Sequence, residues 1–157
     1  MIKIVSKIEL KQIVTCLRQK KKRITFTCGC FDLLHIGHIR TLKEAKSHGD
    51  VLIVGVNSDN SVRKNKGKFR PIIPEDERAE IIASIEYVDY VTIFSESTPE
   101  NLIDLVRPDV HVKAGYDLTQ LPEADLVKSY GGNVILVKEV DGYSTTMLIR
   151  RILDNYC

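Results

Sequence analysis

Val51-Leu52-Ile53-Val54-Gly55-Val56 is a run of six residues without a polar side chain. A strand of this kind is buried on both faces, the condition of a parallel sheet covered by helices above and below. The rest of the chain agrees with that demand. Helical patterns are read over Ser6–Lys22, Ile36–Ser47 (closed by His48-Gly49), from Pro74 onward, over Pro99–Val106, over Pro122–Tyr130 (ended by Gly131-Gly132) and over Thr145–Asn155. Between them, strands are read over Ile24–Cys28, Val51–Val56, Tyr87–Phe94, Val110–Lys113 and Val134–Val137, and Asn57–Arg70 reads as a polar, basic loop. Strands alternating with helices at this spacing build βαβ units. The expectation is an α/β fold: a Rossmann-like, doubly wound, five-stranded parallel sheet with helices on both faces. All 157 residues fit one domain, with the helix at 6–22 packed on it.

In such sheets ligands sit beyond the carboxyl ends of the strands, at the switch point. His35-Ile36-Gly37-His38 leaves the first strand at that end and opens the next helix. The spacing sets two imidazoles on one side of a first helical turn. Beside them lie the backbone N–H groups of a helix N-terminus, which suit phosphate. Imidazole can donate hydrogen bonds to phosphoryl oxygens near neutral pH, and placing and neutralising charge is the main task of nucleotidyl transfer. Gly37 lets a phosphate or base approach the backbone. A His pair can also hold a metal, but only with further ligands. Asp32 has three readings: it holds the loop, helps orient a metal, or forms an Asx turn.

Three other segments bear on the same chemistry. Arg63, Lys64, Lys66, Lys68 and Arg70 place five cations within eight residues, a run that reads as a solvated surface, a nucleic-acid patch or, preferred here, a mobile basic flap closing on a polyphosphate. Arg78 stands at a helix start against the helix dipole, so it wants an anionic partner: phosphate, Glu75 or Asp76. Gly142-Tyr143-Ser144-Thr145-Thr146 precedes the last helix, as a Ser144 cap, a phosphate site, or both. A net charge of +2 makes the chain no polycation, so a nucleic-acid partner is not expected. No apolar run approaches the ~20 residues of a membrane span, and no signal peptide is read at the N-terminus, so a cytoplasmic setting is the expectation. Cys16, Cys28, Cys30 and Cys157 lack zinc spacing and read as reduced, small apolar residues.

The segments Phe26–His38 (with its H-x-G-H), Val54–Asp59, Lys66–Ile72, Pro108–Lys113 and Gly142–Thr146 together resemble the H-x-G-H nucleotidyltransferase superfamily. Within it the chain is most similar to the D-glycero-β-D-manno-heptose 1-phosphate adenylyltransferases, and the resemblance spans nearly its whole length. The resemblance implies an enzyme joining ATP to a sugar 1-phosphate, with release of pyrophosphate. The alternative it leaves open is CTP with glycerol 3-phosphate or a related alcohol phosphate. It further implies His35, His38, Lys66 and Arg78 as catalytic residues. Cys28, Gly29, Cys30, Phe31, Gly37, Lys113, Gly115, Ser144, Thr145 and Thr146 are implied in nucleotide binding, and Asp32, Asn57 and Asp59 in substrate binding. Mg²⁺ is implied as a cofactor carried by the triphosphate, with no side-chain ligands, and a homodimer is implied as the assembly. The chain departs from the family pattern at Cys28, often Asn, at Lys113-Ala114-Gly115-Tyr116-Asp117, usually K-G-G-D-Y, and at Tyr143, often Arg.

Overall fold

The computed structural model describes residues 3–138 and 141–156; Met1, Ile2 and Cys157 of the sequence reading lie outside the described residues. Ser6 caps helix α1 (Lys7–Gln19) in a reciprocal capping box with Glu9. The helix stops short of the expected Lys22 because Lys21 turns to a left-handed φ of 52°. Leu10 and Val14 form its buried stripe. Strand β1 (Ile24–Gly29) then leads through a short loop to α2 (Ile36–Ser47), and β2 (Val51–Asn57) is buried at every position.

The expected basic loop is for the most part a helix, α3 (Asp59–Lys66). Its start is fixed by Ser58, whose Oγ accepts from Ser61 N, and its end by Gly67 at φ 96°. Asp59 in the first turn and Arg63, Lys64 and Lys66 in the last suit the helix dipole. The reading of Asn57–Arg70 as a loop is thereby corrected over Asp59–Lys66. Next come α4 (Glu75–Ala83) and β3 (Tyr90–Phe94). The expected strand start at Tyr87 gives way to a turn, since Val88 N donates to Ile85 O and the Asp89 carboxylate is taken by Leu52 N and Lys46. The chain closes with α5 (Glu100–Val106), β4 (Val110–Ala114), a 3-10 turn at Leu118–Gln120, α6 (Glu123–Ser129), β5 (Asn133–Val137) and α7 (Thr145–Tyr156).

The five strands are all parallel, in the order β3-β2-β1-β4-β5. One apolar core lies between the sheet and α1, α5 and α6, built on Leu10, Phe26, Leu102, Ile103 and Val127. The other lies under α2 and α4, built on Leu42, Leu52, Val54, Ile82 and Val112. Gly55 in mid-strand serves the first core: a Cβ there would come within 3.0 Å of Leu102 and 3.1 Å of Phe26. The chain winds from β1 outward to β3, then returns to lay β4 on the other side of β1. The switch point falls between β1 and β4, and a crevice opens above their carboxyl ends. Among the described residues no helix is long and apolar enough to cross a membrane.

Candidate active site

A cavity of about 430 Å³ occupies that crevice, a size that suits a small-molecule ligand. Its floor is the end of β1, Thr27 through Phe31. Phe31 adopts φ 46°, a left-handed conformation unusual for a large side chain. Its ring is buried against the face of Gly29, where a Cβ would lie 3.4 Å away, and meets His38 at 5.4 Å between centroids. That packing offsets the backbone cost and turns the chain sharply into the histidine loop.

His35 is the N-cap of α2, a position usually held by a short oxygen-bearing side chain. Its Nδ1 accepts from Gly37 N (3.2 Å), and Nδ1 of His38 accepts in turn from His35 N (3.3 Å). The two backbone donations fix both tautomers. Each Nδ1 is an acceptor, so in each neutral ring the proton sits on Nε2. The rings lie 3.8 Å apart between centroids. Burial first, and the neighbouring His35 second, push the His38 pKa down to about 4. His38 is neutral at physiological pH, an N–H donor without charge. Three amides of the expected phosphate seat are engaged: those of His35 and Gly37 donate to imidazole nitrogens, and His38 N to His35 O. In the neutral rings Nε2–H is the donor, and both histidines line the cavity. Gly37 is required by the same packing, since a Cβ there would stand 2.9 Å from two atoms of the His35 ring.

The carboxylates of the sequence reading belong to the frame. Asp32 is 1% exposed. Its Oδ1 accepts from Ile72 N and Ile73 N, and its Oδ2 from Arg70 Nε. Burial opposes its charge, but the Ile73 and Ile72 amides and the Arg70 guanidinium outweigh it and hold its pKa below the ordinary value. Of its three readings the structure selects the first: it holds the loop before α4. Arg78 is fully buried and lies off the cavity. It donates to Ile73 O (2.8 Å), to Cys30 O and to Asp59 Oδ1 (2.8 Å). Its anionic partner is Asp59, not Glu75 or Asp76, and of the two roles implied for Arg78, fixing the phosphates or fixing the site loop, these bonds are those of the second; Asp59 is engaged in the same tie. Asn57 reaches the cavity while donating to Ser61 Oγ (2.9 Å).

Of the five basic residues at 63–70, Lys66 and Arg70 line the cavity. Lys66 does so from the last turn of α3. Lys113 lines the other side, its Nζ 3.5 Å from Cys28 O. Gly115, at φ 75°, lies outside the lining, with its amide turned to Val137 O. Ser144 caps α7 by accepting from Met147 N (3.1 Å), and Thr145 Oγ1 ties that helix start to Leu33 O (3.4 Å). Thr146 and both of these line the cavity with His35, Gly37 and His38. Cys28 and Cys30 line it too, and burial raises both thiol pKa values, so these are protonated thiols. Sequence reasoning missed Thr41, Asn65, Phe94, Ser97 and Pro99. Asn65 and Ser97 meet through Asn65 Nδ2 and Ser97 O (3.4 Å), a contact between α3 and the loop after β3.

No group of three or more metal-ligating side chains occurs among the described residues. Asp32 is the carboxylate on the cavity wall, and its oxygens are already engaged.

The cytidylyltransferase-like family model matches residues 26–151, from β1 to the middle of α7. The chain belongs to the cytidylyltransferase-like family. Among its relatives, the Bifunctional protein HldE of Syntrophotalea carbinolica is 50% identical over 148 residues, 94% of this chain and 30% of that protein. The HldE of Geobacter metallireducens is 51% identical over the same shares. This cytidylyltransferase-like chain thus spans about 30% of the length of the curated relatives it matches. The crystal structure of the lipopolysaccharide core biosynthesis protein of Thermoplasma volcanium superposes with a TM-score of 0.63 at 30% identity, covering 78% of this chain and 99% of that one. The pantoate-beta-alanine ligase of Francisella tularensis, solved with an ATP analogue and beta-alanine, shares the fold at a TM-score of 0.66 and 21% identity over 88% of this chain and 67% of that one.

Proposed function

We propose that this chain is an adenylyltransferase that joins ATP to a sugar 1-phosphate, D-glycero-β-D-manno-heptose 1-phosphate, and releases pyrophosphate. The observation that carries the reading is the pair of tautomer-fixed imidazoles. Two Nε2–H donors share one cavity with Lys66, Lys113 and the hydroxyls of Ser144, Thr145 and Thr146. The HldE relatives and the lipopolysaccharide core biosynthesis protein support the sugar as acceptor.

In this reaction an oxygen of the sugar phosphate attacks the α-phosphorus, the new P–O bond forms, and the bond to the bridging α–β oxygen breaks. The nucleophile is already ionised at neutral pH, so no general base is called for. What the transition state needs is charge stabilisation on oxygens, supplied by preorganised donors. His35 and His38 donate from Nε2, Lys66 and Lys113 bring positive charge, and the α7 cap hydroxyls hold the leaving pyrophosphate. The Cys28–Phe31 backbone lies against the nucleotide. With the Asp32 oxygens engaged in the frame, a Mg²⁺ ion would be held chiefly by the triphosphate and would neutralise its charge. The same reading carries a homodimer, which sedimentation velocity tests, and a cytoplasmic setting.

The direct test is pyrophosphate release with each of the four common NTPs against a panel of sugar 1-phosphates and polyol phosphates. The expected outcome is turnover with ATP and heptose 1-phosphate. Turnover with CTP and glycerol 3-phosphate instead overturns the adenylyl assignment, and none with any pair overturns the enzyme reading for these substrates.

A further inference from the structure

Between the sheet and α6, directly under the cavity, sits a polar cluster that the phosphate chemistry leaves unused. His111 is 0% exposed and Glu123, the first residue of α6, is 2% exposed. Both sit at the edge of an otherwise apolar core, where His111 stacks on Phe26 at 5.5 Å between centroids. The His111 ring nitrogens lie 3.3 Å from Phe26 O and 3.4 Å from Glu123 Oε1. The same Oε1 is 3.9 Å from Lys113 Nζ. His111 and Lys113 are two residues apart on β4 and so share one face of the sheet, with Lys113 nearer the carboxyl end. The Lys113 ammonium is further fixed by Cys28 O at 3.5 Å and by the Tyr116 ring at 5.1 Å.

A carboxylate is costly to bury and persists only where partners answer it. Burial lowers the His111 pKa and keeps the ring neutral, so His111 can offer a hydrogen bond but no charge. Among the described residues the cation that answers Glu123 is Lys113. Burial opposes the charge on each, yet the Lys113 pKa ends above its ordinary value, aided by Cys28, Tyr116 and Glu123, and the Glu123 pKa ends below, aided by His111 and Lys113. Without Glu123 the lysine would face burial with no counter-charge, and its four-carbon stem would be free to swing away from the β1 end.

We propose that Glu123, backed by His111, is a positioning residue: it keeps the Lys113 side chain at the carboxyl end of β4, so that the ammonium meets the triphosphate. This rests on the reading of the cavity as a nucleoside triphosphate site. Glu123 itself touches no substrate; it acts through Lys113.

The test uses the full 157-residue chain, with ATP and inorganic tripolyphosphate as probes in titration calorimetry. In Glu123→Gln, affinity for both probes falls about tenfold at pH 7.5, and the loss grows toward pH 9 as Lys113 deprotonates early. KM for ATP rises by the same factor while kcat moves less than about threefold. Glu123→Asp recovers part of the affinity. In a Lys113→Met background, Glu123→Gln adds nothing further. Wild-type binding with equal binding and an unchanged pH profile in Glu123→Gln overturns the proposal alone. So does a Glu123→Gln effect that survives in Lys113→Met. Absence of triphosphate binding in the wild type overturns the cavity reading and the proposal together. Should Glu123→Gln not fold, nitrogen-15 NMR of the wild-type lysine side chains decides: Lys113 titrating above the ordinary lysine range of about 10.4 supports the proposal, and titrating below it overturns it.

Discussion

Two imidazoles 3.8 Å apart cannot both carry charge cheaply, and the backbone takes advantage of that. With Nδ1 of each ring committed to an amide, the proton of a neutral ring sits on Nε2, and His38 is held neutral. Such a donor needs no titration to work. His38→Ala is therefore expected to lower kcat by about 10²–10³, the usual cost of one preorganised donor, with a smaller change in KM; near-normal turnover removes His38 from the mechanism. The low His38 pKa also sets a pH dependence of stability. Its folded value of about 4 lies below the ordinary 6.5. The unfolded chain therefore binds the proton first, and stability present above pH 6.5 is lost as pH falls through 4. The loss is on the order of 3 kcal/mol. Urea unfolding at pH 7.5 and pH 4.5 checks it, with His38→Gln expected to show a shallower fall. The Asp32 carboxylate, held below its ordinary 3.8, titrates under this window. Gly37→Ala separates packing from chemistry. Alanine suits a helix better than glycine, so thermal stability holds, while the 2.9 Å approach to the His35 ring displaces that donor. A fall in kcat/KM of about tenfold or more is expected.

At the scale of elements, Arg78 explains why α3, α4 and the β1 end hold one arrangement. One guanidinium fully out of water joins Ile73 O, Cys30 O and Asp59. Arg78→Met leaves the Asp59 charge and two carbonyls without that partner, and a loss of about 3–5 kcal/mol in chemical denaturation is expected; a loss under 1 kcal/mol shows the tie to be dispensable. The sequence announced that Arg78 needed an anion but not which one, because Asp59 is 19 residues away and reaches it through tertiary packing. The strands were legible as apolar runs, with β2 the clearest. Helix α3 was not, because only Ser61 and Val62 of its eight residues are buried and apolar periodicity has nothing to register. Its signals were its ends, Ser58 and Gly67, which a reading centred on charge passed over. Phe94, Ser97 and Pro99 were missed for another reason. They reach the cavity because β3 lies beside β2 in the sheet, and strand order is not written in any local pattern.

The whole molecule places unlike chemistry at the two sides of one crevice. Because β4 and β5 lie on one side of β1 and β2 and β3 on the other, the cavity wall divides along the sheet. Toward β4 and α7 it carries Lys113, Ser144, Thr145 and Thr146, a cation and hydroxyls suited to a polyphosphate. Toward α3, β2 and β3 it carries Asn57, Asn65, Ser97 and the Phe94 ring, amides, a hydroxyl and an apolar face suited to a polyhydroxy sugar, together with Lys66 and Arg70, cations suited to that sugar's phosphate. The histidines stand at the end of β1, between the two sides, where the phosphates of both substrates would meet. This division predicts separable effects on the two Michaelis constants. Thr146→Ala, or Ser144→Ala with the α7 cap lost, raises KM for ATP and leaves KM for the sugar phosphate within about twofold. Asn65→Ala and Ser97→Ala do the reverse. Each removes a single hydrogen-bonding group, so shifts of about fivefold to tenfold are expected. Two-substrate initial-rate kinetics on the four variants measure them. If all four raised both constants together, the crevice would act as one undivided pocket, and the assignment of the β2 and β3 side to the acceptor would fail.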